Sequence, residues 1–199
     1  MKNIEFIAHR INTLSELKEL PVVYGVELDL RDDLNGKIYI QHNPFEKGED
    51  FEAYLKNYHH GTMILNVKSE RIELKILEML PHYDVKSYFF LDSSFPMIYM
   101  LSNQGERNIA LRVSETEGLD TPRNMAGKVD WIWVDCFSKI PIGKKESDEL
   151  KALGYKLCLV SPELEGRDQD IEKYKQQITD MGIEFDAICT KKYNIRRWL

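Results

Sequence analysis

Gly25-Val-Glu-Leu-Asp-Leu-Arg-Asp-Asp-Leu-Asn-Gly-Lys-Ile-Tyr-Ile-Gln-His42 is the stretch from which the rest of the chain can be read. Val26, Leu28 and Leu30 alternate with Glu27, Asp29 and Arg31, the period-two pattern of a strand with one apolar face. The other face carries two carboxylates whose Cβ atoms point the same way. Asp33-Leu-Asn-Gly36 supplies turn chemistry, and Lys37-Ile-Tyr-Ile-Gln41 returns as a second short strand ending at His42. Two carboxylates on one face can hold a hard divalent cation through oxygen, and a histidine nearby can move protons. Taken alone, the same stretch also reads as an amphipathic hairpin with a solvated charged face.

Apolar runs of similar length recur outward from it: Ile4–Arg10 before, then Thr62–Lys68, Ser87–Asp92, Asn108–Ser114, Val129–Asp135, Tyr155–Ser161 and Phe185–Thr190. With Gly25–His42 they make eight, mostly continuous rather than alternating, as expected for parallel strands covered by helices. Between them, Ser69 to Met79 has the spacing of an amphipathic helix with Ser69 as N-cap. Phe51–Tyr58, Pro96–Ser102, Lys145–Leu153 and Asp168–Met181 read as further helices, with Gly154 and Gly182 at C-cap positions. Strand and helix alternating in this way predict an α/β fold, a compact (β/α)8 TIM barrel forming one domain over residues 1–199. The chain is short for that fold, which typically needs about 250 residues, so some crossovers, notably Asp120–Lys128, are expected to be loops.

Bulk composition narrows the class. A net charge of -6 gives no electrostatic attraction to nucleic acid or anionic lipid, and nucleic acid is not expected as a partner. No run approaches the roughly 20 apolar residues of a membrane span, and the N-terminus lacks the pattern of a secretory signal. Cys136, Cys158 and Cys189 are too widely spaced for a zinc site and odd in number. They read as reduced core thiols, which predicts a cytoplasmic protein. The oligomeric state is not encoded in any visible pattern.

In a barrel of this type the reactive groups lie at the carboxyl ends of the strands. Those ends carry His9-Arg10, Glu27 and Asp29, Asn66 and Lys68, Asp92-Ser93-Ser94, Arg112, Asp135, Ser161 and Thr190-Lys191-Lys192. The sequence resembles the glycerophosphodiester phosphodiesterase family, within the superfamily of phosphatidylinositol-specific phospholipase C-like barrels. The resemblance rests on a first strand ending in His9-Arg10, Glu27-Leu28-Asp29 in the second, and Asn35-Gly36 followed by a short strand into His42. In the third strand, Asn66-Val67-Lys68 stands where the family has Glu-x-Lys. It is strong over residues 4–68 and thins to echoes such as Ser93-Ser94-Phe95 afterwards.

The resemblance implies a phosphoric diester hydrolase acting on a small glycerophosphodiester-like substrate. It assigns His9 and His42 as general acid and base, Arg10 and Lys68 to phosphate oxygens, and Glu27, Asp29 and Asn66 to a Mg²⁺ or Ca²⁺ ion. Three departures stand out: Ile11 where the family has glycine, Asn43 for a usual aspartate, and Asn66 for the third metal-binding carboxylate. They keep two other readings open, a catalytically impaired barrel that binds a phosphorylated metabolite or a protein, and a lyase that leaves a cyclic phosphate.

Other residues read more plainly. Asp92, Glu115 and Asp135 could restore the missing negative charge or simply cap loops. His59-His60 reads as surface histidines. Trp131 and Trp133 read as packing between barrel and helices, and Trp198 as packing beneath the barrel.

Overall fold

The chain is described here over residues 4–199 in a computed structural model. Its elements are β1 Glu5–Ala8, α1 Leu14–Glu19, β2 Gly25–Asp32, β3 Ile38–Ile40, β4 Glu49–Asp50, α2 Phe51–Leu55, β5 Met63–Val67 and α3 Glu73–Met79. They continue as β6 Tyr88–Leu91, α4 Phe95–Asn103, β7 Ala110–Val113, α5 Asp120–Met125, β8 Trp131–Val134, α6 Lys144–Ala152, β9 Lys156–Val160, α7 Ile171–Met181, β10 Ala187–Thr190 and α8 Ile195–Trp198. All eight expected runs contain strands: Gly25–His42 holds β2 and β3, and each of the other seven is two or three residues shorter than read.

The eight run parallel: β1 lies between β10 and β2, β2 pairs onward with β5 and β5 with β6, while β7, β8, β9 and β10 pair in succession. β6 and β7 meet through one bridge, Phe90 with Ile109, beside a 2.8 Å hydrogen bond from the Phe90 N–H to the Asn108 carbonyl. The sheet is therefore strongly curled and of barrel type, with a seam at β6–β7 where the expected ladder is almost missing. Asp92, just past β6, has φ 60°, and this left-handed turn carries the chain off the line that a longer β6–β7 ladder would need. The short β3 returns antiparallel on β2, and β4 on β3.

The alternation of each strand sorts the core into two groups. Ile7, Ile64, Phe89, Trp131, Trp133, Cys158 and Cys189 form a cluster made of strand residues alone, inside the curl. Ile132, Leu159, Leu65 and Phe90 face the other way and pack with Tyr54, Ile76, Leu101, Leu150 and Tyr174 from the helices. Trp131 and Trp133 thus fill the interior rather than the barrel-to-helix layer, Trp131 stacking on Phe89 at a centroid distance of 4.4 Å. The three cysteines are buried and free. Among the described residues no helix is long and apolar enough to cross a membrane.

Local chemistry accounts for the other differences. Ser69 does not cap a helix. Its hydroxyl accepts from the Asp32 N–H, and α3 starts four residues later. Asp120–Met125 is a short helix rather than a loop. Gly154 and Gly182 do take positive φ at helix ends, 92° and 64°, as a left-handed C-terminal residue requires. Trp198 is not beneath the barrel: its indole N–H donates to Ser161 Oγ, at the carboxyl end of β9, at 2.9 Å.

Gly25 opens β2 against the strand before and the strand beyond it. A Cβ there would lie 2.5 Å from the Thr62 carbonyl and 2.9 Å from Ile7 Cγ1. Thr62 also accepts the Val26 N–H through that carbonyl, so the backbone can retreat only by breaking the ladder. Gly25→Ala is expected to cost about 2–3 kcal/mol, the upper range for overpacking, and urea denaturation measures it.

Candidate active site at the carboxyl ends of the strands

Register decides where the two carboxylates of β2 go. Glu27 lies opposite Ile64 and Asp29 opposite Asn66 on the parallel neighbour β5, so both point into the curl with the interior cluster. Each is 0% exposed, which removes the solvated-face reading. Burial raises the pKa of both carboxyls, and for Asp29 the charge of Glu27 adds to the effect.

Donors gather round them. Arg10, immediately past β1, has φ 53°, a strained conformation for a bulky residue that turns its N–H onto Glu27 Oε2 at 2.8 Å. The Asn66 amide donates to Glu27 Oε1 at 2.8 Å. Ile11 stands where the resemblance led one to expect glycine, and its side chain is buried. Its N–H reaches the Glu27 carbonyl at 2.9 Å, and its own carbonyl accepts from Tyr54 Oη at 2.7 Å. The first loop is therefore pinned into the core. Asp29 is held by Asn12, whose amide donates to Oδ2 at 2.9 Å and accepts the Asp29 N–H at 3.1 Å. Arg10 Nε lies 3.6 Å from Asp29 and Lys68 Nζ 3.8 Å. Nothing in the sequence reading pointed to Asn12, since a polar residue in a loop carries no periodic signal.

His9 sits within this group, with Nε2 3.6 Å from Glu27 Oε2. Its Nδ1 lies 2.8 Å from Lys191 Nζ. Ala8 pairs with Thr190, so the next residues along each strand, His9 and Lys191, stand side by side. Burial, then the charges of Lys191 and Arg10, pull the His9 pKa down to about 3.

His42 belongs to the same rim by its backbone. The Gln41 N–H bonds the Asp29 carbonyl at 2.9 Å. The Arg31 guanidinium donates to the His42 carbonyl at 2.7 Å from Nη2 and to the Lys68 carbonyl at 2.9 Å from Nη1. The ring turns to Asn43, Nδ1 to Oδ1 at 3.0 Å. Among the described residues no hydrogen bond or ion pair joins that ring to the His9 group. The other six expected site residues are brought together.

Those residues fit an oxygen-bound cation in kind. Asp29 Oδ1 and Asn66 Oδ1, on residues in register, are buried acceptors without a hydrogen-bond partner, and hard divalent ions are bound by such oxygens. With an amide in third place, no cluster of three His, Cys, Asp or Glu forms among the described residues.

Of the carboxylates suggested as replacements, Asp92 and Asp135 line the same cavity as His9 and Asn66 but are paired with cations, and only Glu115 is engaged elsewhere. Asp92 takes Lys68 at 3.1 Å and pairs with Arg112, which also donates to Asp135 at 2.6 Å. Glu115 accepts the backbone N–H groups of Ser138 and Lys139 at 2.6 and 2.9 Å. His60 bonds the Leu20 carbonyl at 2.9 Å, near the amino ends of β2 and β5 rather than at the rim. A cavity of about 250 Å³ opens over the group, lined by His9, Arg10, Asn66, Lys191, Arg112 and Asp135 among others.

No family model matches the sequence, and no curated protein matches it. Solved structures do match. A glycerophosphodiester phosphodiesterase from Agrobacterium tumefaciens is 14% identical, with a TM-score of 0.64 over 96% of this chain and 98% of that one. A glycerophosphoryl diester phosphodiesterase from Parabacteroides distasonis is 9% identical, with a TM-score of 0.68 over 98% of this chain and 86% of that one. At such identities the likeness is one of architecture, and nearly end to end the chain has the fold of these phosphodiesterases.

Proposed function

We propose that the chain is a phosphodiesterase acting on a small glycerophosphodiester-like molecule. The observation that carries this reading is the convergence of His9, Arg10, Glu27, Asp29, Asn66 and Lys68 at the carboxyl ends of a curled parallel sheet, with His9, Arg10 and Asn66 lining one cavity. Arg10 and Lys68 would hold the non-bridging phosphate oxygens, supplying charge where it develops in the transition state. A Mg²⁺ or Ca²⁺ ion, held by Glu27, Asp29 and Asn66, would add to that neutralisation.

The histidines divide the proton work. The Asn43 amide nitrogen donates to Glu46 Oε1 at 3.1 Å, which leaves Asn43 Oδ1 to accept from His42 Nδ1 and gives Nε2 of His42 a free lone pair. Nε2 takes a proton from the attacking water as the water oxygen bonds to phosphorus. The bond from phosphorus to the leaving alcohol then breaks, and the alcohol oxygen is protonated from the His9 side. Incubation of purified protein with Mg²⁺ or Ca²⁺ and a set of glycerophosphodiesters tests the reading. Release of the alcohol supports it, and a blank across the set sinks it. Phosphorus NMR of the product separates hydrolysis from cyclisation.

One observation favours the binding-module alternative: Asn66 donates to Glu27 where the resemblance predicts a further anion. Restoring the carboxylate with Asn66→Glu is expected to tighten Mg²⁺ binding about tenfold, since charge count tunes such sites. Calorimetry on the protein alone reads this without any turnover.

A further inference from the structure

The site contains a cation that neither the phosphate-binding nor the metal-binding assignment uses. Lys191 follows β10 directly and stands beside His9, with its ammonium 2.8 Å from His9 Nδ1. An ammonium has three donors and no acceptor. Nδ1 must therefore be the accepting nitrogen, and the proton of the neutral ring sits on Nε2. The ammonium is held in place by its own backbone: the Lys191 N–H donates to Glu163 Oε1 at 3.0 Å. Glu163 is buried and also accepts from Ser161 and Thr190, and Trp198 donates to Ser161. A network of side chains from β9, β10 and α8 thus fixes one lysine against one imidazole. Lys191 also lines the same cavity as His9 and Arg10.

We propose that Lys191 is the proton source behind His9, so that leaving-group protonation runs from Lys191 Nζ through the imidazole to the alcohol oxygen. The Nε2–H passes its proton to the departing oxygen as the bond to phosphorus breaks, and Nδ1 takes a proton from the ammonium in the same event. The ring is neutral before and after, with its tautomer reversed. Lys191 is left as an amine and recovers its proton from water, after which the ring returns to its starting tautomer. This places the acid function on a pair of residues, and it rests on the phosphodiesterase reading above.

The test has two readouts. Nitrogen NMR of the His9 ring, which needs no substrate, is expected to show Nε2 protonated and Nδ1 bare in the wild-type protein. Lys191→Met should give a mixture of tautomers, and Lys191→Arg, another pure donor, should restore the single tautomer. Turnover of an alkyl diester should fall about a hundredfold in both variants, within the range for loss of a general acid. Arginine orients the ring but does not release a proton. With a p-nitrophenyl diester, whose phenolate leaves unprotonated, the loss in both variants should be about tenfold smaller than on the alkyl diester. A wild-type ring protonated at Nδ1, full alkyl turnover in Lys191→Arg, or an equal loss on both substrates would overturn the proposal. A blank diesterase assay would remove the function and still leave the tautomer measurement to judge the Lys191–His9 arrangement.

Discussion

Replacing His9 by alanine lowers turnover of a glycerophosphodiester about a thousandfold, the middle of the range for a lost acid–base group, while the protein stays folded. The second half of that expectation separates it from trivial loss. His9 lies past the end of β1, and its backbone N–H bonds the Thr190 carbonyl at 2.8 Å whatever its side chain. Steady-state kinetics beside a thermal melt reads both halves. A variant that melts normally and turns over normally removes His9 from the chemistry. Glu27→Ala is a poorer choice, because it strips a partner from both the Arg10 N–H and the Asn66 amide and mixes stability with catalysis.

The second large effect is on stability. Arg112 reaches from β7 to Asp92 beyond β6 and to Asp135 beyond β8, across the seam where the backbone supplies a single bridge. Arg112→Met leaves Asp135, which is 4% exposed, without its countercharge. Breaking a buried pair by removing one partner costs 3–5 kcal/mol, and the partial exposure of Arg112 puts this case near about 3. For a domain of this size that is a fall in Tm of about 6–12 °C.

The deficit depends on pH with a definite sign. Burial pushes the Asp135 carboxyl up to about 6 against the opposing pull of Arg112. A folded carboxyl that keeps its proton more tightly than the unfolded one costs nothing in acid and progressively more as pH rises through 6. Without Arg112 the folded pKa climbs further, so the loss should be greater at about pH 8 than at about pH 5. Urea titrations at the two values check it, and an equal deficit at both removes Asp135 from the account.

Much of this was legible in the residues. Eight apolar runs gave eight strands because continuous hydrophobicity bounded by turn residues leaves a buried strand few alternatives. Glu27 and Asp29 were visible as a pair sharing a face, but which face was not. That depended on whether Leu28 met helices or the interior, and only the register with β5 decides it. The β6–β7 seam was hidden because it arises from a left-handed backbone at Asp92, which an aspartate adopts with little sequence warning. Trp131 and Trp133 were placed on the wrong side of the sheet for a similar reason: large aromatic residues at alternate positions reveal a common face and not its direction. Asn12 and Lys191 went unassigned because each owes its place to a strand end brought near from elsewhere in the chain. Lys191 becomes a neighbour of His9 only when the last strand lies down beside the first.

Arg31 has one more implication. Its fork grips the oxygens of peptide groups 42 and 68, and every amino acid offers that oxygen equally. Swapping the imidazole or the amine at those two places therefore leaves the mortise intact. The rim can change its reagents while keeping its carpentry, which makes this corner of the molecule a natural place to install a different chemistry.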